Sequence, residues 1–271
     1  GAGGIRLLAP GCCAGRRARE VTPMRYWLVM PAAGSGRRFG GAKQYAALGA
    51  RTVLEAALQL FIEDPRCAGG SLVLAADDPH RHELAERLAP RFQVVSGGAE
   101  RAHSVCNGLE ALCARAHPQD WVLVHDAARP CLSAADLARL LEHAEGEPVG
   151  ALLAIPIVDT VRRAEPAAPA HPASAQSAPR LSAPRSVETL PRDSLWLAQT
   201  PQMFRLAPLR AALERAIAER RAPTDEAQAM EWQGLSARLV QARDGNLKVT
   251  NASDLALAEA ILAARRRLAC G

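Results

Sequence analysis

The chain has 271 residues, 49% of them hydrophobic and 23% charged, with 20 glycines, 19 prolines and a net charge of +5. That length holds one large α/β domain or two small ones, and no apolar run is long enough to span a bilayer. Residues 1–23 carry Arg6, Arg16, Arg17 and Arg19 against Glu20, so most of the excess charge sits there and too little remains for a nucleic-acid surface.

This first segment is rich in glycine, alanine and arginine and reads as a disordered extension ahead of a single domain over 24–268. A transit peptide is the competing reading, weakened by the lack of serine and by the Cys12-Cys13 pair. The other cysteines are Cys67, Cys106, Cys113, Cys131 and Cys270, and none of the seven forms a C-x-x-C pair. That pattern argues against a disulfide framework or a zinc site and fits a reducing, cytoplasmic setting.

The first strand is expected over Trp27 to Met30, followed at once by PAAGSGRRFGGAK, Pro31 to Lys43. Gly34 and Gly36, which present no side chain, let the loop's backbone N–H groups close on phosphate oxygens, while Arg37, Arg38 and Lys43 supply charge. The dinucleotide fingerprint fails because Phe39 stands where the third glycine belongs, and Gly40 comes one residue late. The P-loop fails because Ala42 separates Gly41 from Lys43 and Gln44 replaces the magnesium-binding hydroxyl. A simple strand-to-helix turn is the alternative for such a loop.

Further along, Thr52-Val-Leu-Glu55 has capping-box form, with Leu54, Leu58 and Phe61 on one helical face. Strands are expected at Ser71 to Ala76, Phe92 to Val95, Trp121 to Val124 and Ala151 to Ile157. Helices are expected at Glu83 to Leu88, around Val105, Leu109 and Leu112, after Ser133, and from about Asp254 to Arg266. Residues 164–186 are too dense in proline and alanine for a helix. The alternation predicts a doubly wound, mostly parallel, Rossmann-like α/β sheet.

Ligands of such sheets lie beyond the carboxyl ends of the strands, and the unusual residues follow strands. Gly97-Gly98-Ala-Glu-Arg101 enters a helix, where backbone groups and Ser104 suit a base edge; a turn capped by Ser96 is the alternative. His125-Asp-Ala-Ala-Arg-Pro130 offers Asp126 for substrate hydroxyls or magnesium, and Arg129 for phosphate or for pairing with Asp126. The alternative is an Asp–Arg pair that merely stabilises the turn, and His125 reads as a turn residue. Asp159-Thr160 follows the next strand, and Lys248 sits in a polar loop before the last helix, either in the site or in solvent.

The runs PAAGSGRRFGGAKQY, SGGAERAHSV, WVLVHDAARPC, PIVDTVRRAEP, QTPQMF, PTDEA and NLKVTNASDLALAE together resemble the 2-C-methyl-D-erythritol 4-phosphate cytidylyltransferases from Tyr26 to Leu262. The ribitol 5-phosphate cytidylyltransferases share the first loop and the HDAARP run and are the nearest alternative. A catalytically silent nucleotide-binding protein on the same fold is another, opposed by the presence of Arg38, Lys43 and Lys248.

The resemblance implies a nucleotidyltransferase-type sheet and in-line attack of a substrate phosphate on the α-phosphorus of CTP, with magnesium as cofactor. It implies that Ala32, Ala33, Gly34, Ser35, Gly36, Gly97, Gly98, Ser104 and Ala127 hold the nucleotide. Arg38 and Lys43 would stabilise the transferring phosphoryl group, and Arg192 and Lys248 would position the substrate phosphate. Asp126, Arg129, Thr160 and Thr200 would bind methylerythritol phosphate. The metal ligands stay open, with Asp126 a candidate. The family forms a homodimer through a β-arm, here about 157–196 with the insertion at 164–186, from which Arg192 would enter the second subunit's site. Ala99 replaces an acid common in the family.

Overall fold

The computed structural model of the chain describes residues 24–34, 36, 39, 41–165 and 184–270. The extension 1–23, Ser35, Arg38 and residues 166–183 of the insertion lie outside the described residues.

In chain order the elements are β1 (Tyr26–Pro31), a 3-10 turn (Lys43–Tyr45), β2 (Ala47–Leu48), β3 (Arg51–Thr52), α1 (Val53–Glu63), β4 (Cys67–Leu74), α2 (Arg81–Leu88) and β5 (Phe92–Ser96). They continue with α3 (Arg101–Leu112), β6 (Trp121–Val124), α4 (Ala134–Ala144), β7 (Gly150–Pro156), β8 (Val161–Ala164) and β9 (Ser186–Leu190). The last are β10 (Trp196–Arg205), α5 (Leu206–Ala218), α6 (Glu226–Glu231), β11 (Arg238–Gln241) and α7 (Ser253–Cys270). Seven strands form one sheet in the order β11-β7-β10-β6-β1-β4-β5. All its pairings are parallel except those of β10, which runs antiparallel to β6 and β7.

The strands are continuously apolar because helices cover both faces. Strand alternation then sorts side chains by face. Leu28, Met30, Leu72, Leu74 and Leu123 join one core with Leu54 and Phe61 of α1 and Leu137 and Leu141 of α4. Val29, Val73, Val122 and Val124 point the other way, into a second core with Val105 and Leu109 of α3 and Leu209 and Leu213 of α5.

The expected helix starts are built as the sequence indicates. The Thr52 hydroxyl accepts from the Glu55 N–H at 3.2 Å, and the Glu55 carboxylate accepts from the Thr52 N–H at 2.8 Å, satisfying donors that a helix start leaves open. Ser133 caps α4 by accepting from the Asp136 N–H at 3.0 Å. Ser96 does not cap α3: it ends β5, and the extended residue before the helix is Glu100.

The sequence pattern did not reveal the short strands β2, β3 and β8, nor the elements between residues 186 and 241. β10 reads as a loop because Gln199, Thr200, Pro201 and Gln202 interrupt its apolar residues. It remains a strand because its register slips between Ala198 and Gln202, so Pro201 sits in an irregularity. β8 and β9 pair antiparallel in a two-stranded sheet of their own, with most residues exposed. The pairing reaches Ala164 and Ser186, and the Glu165 N–H donates to the Arg185 carbonyl at 2.9 Å. The ends of the proline-rich segment, Ala164 and Ser186, thus lie in paired strands. Among the described residues no helix is long and apolar enough to cross a membrane.

Candidate active site

A cavity of about 610 Å³ opens beyond the carboxyl ends of β1, β5 and β6. Ala32, Ala33 and Gly34 line it from the loop after β1, and Lys43 from the 3-10 turn. Gly98, Glu100, Arg101 and Ser104 line it from the start of α3, Asp126 and Ala127 from the end of β6, and Lys248 from the segment before α7. Residues up to 216 positions apart in the chain thus meet where the strand-end rule expects a ligand. A smaller cleft of about 310 Å³ between α3 and α5, lined by Cys113 and Arg210, lies away from these strand ends.

Two glycines shape the cavity wall. Gly36 has φ +61°, and a Cβ there would stand 1.9 Å from the Gly41 carbonyl oxygen, so the fold of the loop on itself excludes any side chain. At Gly97 a Cβ would meet the Ala33 methyl at 2.5 Å; the two loops approach too closely for anything larger. Gly97 lies behind the wall and does not line the cavity. The Gly98 N–H donates to Ser104 Oγ at 3.1 Å, and that hydroxyl donates to the Glu100 carbonyl at 3.2 Å. Ser104 therefore latches its own loop.

The 3-10 turn carrying Lys43 is anchored by the Tyr45 hydroxyl, 2.8 Å from both oxygens of Asp78. Lys43 Nζ donates to the Val249 carbonyl at 3.1 Å. The Val249 N–H in turn donates to the Ala128 carbonyl at 2.8 Å. Lys43, Lys248 and the 125–130 loop are thereby fixed to one another.

Asp126 is the electrostatic centre of the site. Its Oδ1 accepts from Arg101 at 3.0 Å and its Oδ2 from Lys248 Nζ at 2.7 Å. Burial alone would raise its carboxyl, but Arg101 and Lys248 outweigh burial and hold it well below the usual carboxylate range. Arg101 continues to Glu226 through a two-point contact of 2.6 and 3.1 Å. Burial pushes the Glu226 carboxyl up, and the Arg101 charge opposes it. Arg101 itself is held charged: burial disfavours its cation, and Glu226 and Asp126 more than compensate.

Arg129, expected on phosphate or on Asp126, makes no ion pair with Asp126: its guanidinium is buried and donates to the Asn246 carbonyl at 2.8 Å. Arg101 takes the place expected for it beside Asp126. Thr200 is buried too. Its hydroxyl accepts from the Asp126 N–H at 3.0 Å and lies 3.2 Å from His125 Nδ1, while His125 Nε2 lies 3.1 Å from the Arg129 carbonyl. With Nε2 donating to that carbonyl, Nδ1 accepts from Thr200, which fixes the tautomer. Burial lowers His125 to about 4, so it is a neutral turn residue. Thr160 and Arg192 lie on exposed loops flanking the β8–β9 pair and do not line the cavity. Arg192 donates to the Val158 carbonyl.

Arg101 and Glu226 were not singled out from sequence. Both stand in quoted runs, SGGAERAHSV and PTDEA, but their pairing joins residues 125 positions apart. Among the described residues no cluster of three or more metal-ligating side chains occurs, and both oxygens of Asp126 are already taken by cations.

The family IspD, 2-C-methyl-D-erythritol 4-phosphate cytidylyltransferase, matches residues 26–264. An Acidithiobacillus ferrooxidans protein of that description is 48% identical over 248 residues, covering 89% of this chain and 98% of its own length. One from Ectopseudomonas mendocina is 46% identical over 235 residues, covering 86% and 93%. The crystal structure of the Francisella tularensis 2-C-methyl-D-erythritol 4-phosphate cytidylyltransferase superposes with a TM-score of 0.71 at 30% identity, over 88% of this chain and 99% of that one. With its cation-lined cavity at the strand ends and similarity along almost its whole domain, the chain belongs to the 2-C-methyl-D-erythritol 4-phosphate cytidylyltransferase family.

Proposed function

We infer that the chain transfers the cytidylyl group of CTP to 2-C-methyl-D-erythritol 4-phosphate, releasing pyrophosphate and 4-diphosphocytidyl-2-C-methyl-D-erythritol in isoprenoid precursor synthesis. The observation that carries this reading is the convergence of the glycine loop, Lys43, Arg101, Asp126 and Lys248 on one cavity. The nucleophile is a phosphate oxygen, already anionic at neutral pH, so no general base is required. The barrier is the approach of two polyanions, and fixed cations lower it.

In this reading the backbone of Ala32 to Gly36, with Gly98 and Ala127, receives the nucleotide, and Gly97 and Ser104 keep that wall in shape. Arg38 and Lys43 stabilise charge on the transferring phosphoryl group, each such contact contributing roughly 3–4 kcal/mol. Lys248 leaves Asp126 for the substrate phosphate, and Asp126 then accepts from substrate hydroxyls. Arg129 and Thr200 serve by holding the Asp126 loop. Magnesium, bound by the triphosphate, would neutralise charge on the pyrophosphate leaving group.

The exposed β8–β9 pair is the proposed dimer arm, delivering Arg192 and Thr160 to the second subunit's site. A reducing, cytoplasmic location fits the free thiols of Cys67, Cys106, Cys113 and Cys131. The test is pyrophosphate release with CTP, magnesium and a panel of polyol phosphates. Release dependent on methylerythritol phosphate supports the reading. Equal turnover with ribitol 5-phosphate moves it to that enzyme class, and CTP binding without turnover on any polyol phosphate refutes catalysis.

A further inference from the structure

Four charged side chains form an alternating line from the interior to the cavity. Glu226 is completely buried at the first residue of α6. It grips Arg101 at 2.6 and 3.1 Å, Arg101 grips Asp126 at 3.0 Å, and Asp126 holds Lys248 at 2.7 Å. The inner end is sealed and the outer end is the most open: along the line the side chains of Glu226, Arg101, Asp126 and Lys248 are 0%, 30%, 11% and 45% exposed. The inner end cannot move without leaving a buried charge unpaired, whereas the outer end can exchange its partner with solvent or ligand.

The inner end is also built to stay still. The Gln202 side chain accepts from the Ala227 N–H at 2.8 Å and donates to Asp225 at 2.9 Å. Asp225 caps α6 by accepting from the Gln228 N–H at 2.9 Å. Gln202 belongs to β10, whose register faces Val124 of β6, two residues before Asp126. The strand that orients the Asp126 loop therefore also orients the helix that carries Glu226.

We propose that Glu226 is a positioning residue for cytidylyl transfer: it clamps Arg101 against Asp126 from behind, leaving Lys248 as the only member of the line that exchanges onto the substrate phosphate. This inference rests on the cytidylyl-transfer reading. Without the second carboxylate, Arg101 has only Asp126 to share with Lys248. It then either turns toward the cavity or takes both Asp126 oxygens and expels Lys248. In both cases the acceptor end of the site is disordered, while the cavity wall at Ala32, Ala33 and Gly34 is untouched.

The experiment is a double-mutant cycle of Glu226→Gln and Arg101→Gln, with Glu226→Asp as the charge-conserving variant. Glu226→Gln should lower kcat/KM for methylerythritol phosphate at least tenfold while CTP affinity changes less than threefold, and Glu226→Asp should recover part of the loss. Because Glu226 acts through Arg101, the double variant should be no slower than Arg101→Gln alone. The double variant removes both buried charges together, so it keeps the comparison open if Glu226→Gln alone fails to fold. Full activity in Glu226→Gln, parallel losses of CTP affinity and turnover, or a double variant slower than Arg101→Gln would overturn the proposal. Wild-type protein that forms no product from any polyol phosphate overturns the underlying reading as well; wild-type turnover with one of those mutant outcomes overturns the proposal alone.

Discussion

Replacing Asp126 by Asn tests the charge line at its centre. The amide retains the size of the carboxylate and one acceptor for Arg101, but it turns an NH₂ group toward Lys248 Nζ, which now donates to Oδ2 at 2.7 Å. One charge-assisted bond is lost and the other becomes a bond to a neutral acceptor. Hydrogen bonds to charged groups contribute about 1.5–3 kcal/mol each, and breaking a buried pair costs about 3–5 kcal/mol. Arg101 keeps Glu226 and Lys248 is half-exposed, so the lower figure applies, about 3 kcal/mol at pH 7. For a chain of this size that corresponds to a fall in Tm of about 6–10 °C. The pH dependence has a fixed sign. The folded-state carboxyl is depressed below its unfolded value, so its contribution is complete above an unfolded pKa of about 3.9 and is lost as pH falls toward the folded value. The stability gap between wild type and variant should therefore be constant from pH 7 to about 5 and about 1.3 kcal/mol smaller at pH 3. Urea unfolding of both proteins across that range measures it. A variant as stable as wild type at pH 7, or a gap that widens in acid, would refute the assignment of Asp126 as the paired centre.

Lys43→Ala and Arg38→Ala should each lower kcat by about 10²–10³ with less than about 1 kcal/mol of lost stability, read by steady-state kinetics beside thermal melts; proportionate losses of both would remove the catalytic role. Thr200→Val removes a hydroxyl that serves the Asp126 N–H and His125 together, leaving two buried groups unmatched at a cost of about 1–3 kcal/mol, whereas a neutral melt would show the network to be incidental. If Arg192 acts across a dimer, mixing inactive Arg192→Ala and Lys43→Ala subunits should restore about a quarter of wild-type activity, because half of the randomly assorted dimers carry one intact site. No recovery in a mixture shown to exchange subunits would place Arg192 in its own subunit's site or outside catalysis.

The element pattern was legible where one local rule acted alone. Trp121 to Val124 reads as a covered strand because all four residues are apolar, and it is one. Thr52 and Ser133 announce helix starts through hydrogen bonds that span three residues. The stretch containing β10 was not legible, since Pro201 and three polar neighbours look like a loop until Gln202 is seen reaching Asp225 and Ala227. The glycine loop, Lys43 and Asp126 stood out because their residue types are costly or unusual just after strands, whereas Lys248, in a polar loop ahead of the last helix, entered the site only through the family resemblance. Of the two readings of Arg129, the pair with Asp126 does not form: proximity in the chain suggested it, but the turn sends the guanidinium to the Asn246 carbonyl.

The sequence by itself determined the family, the doubly wound sheet and the glycine loop after the first strand, because these rest on local periodicity, on glycine spacing and on runs of adjacent residues. Only the tertiary structure decided which cation faces which acid. Arg101, Asp126, Glu226 and Lys248 come from four separate segments, and Coulomb interactions depend on distance and burial, neither of which is written in the order of residues along the chain.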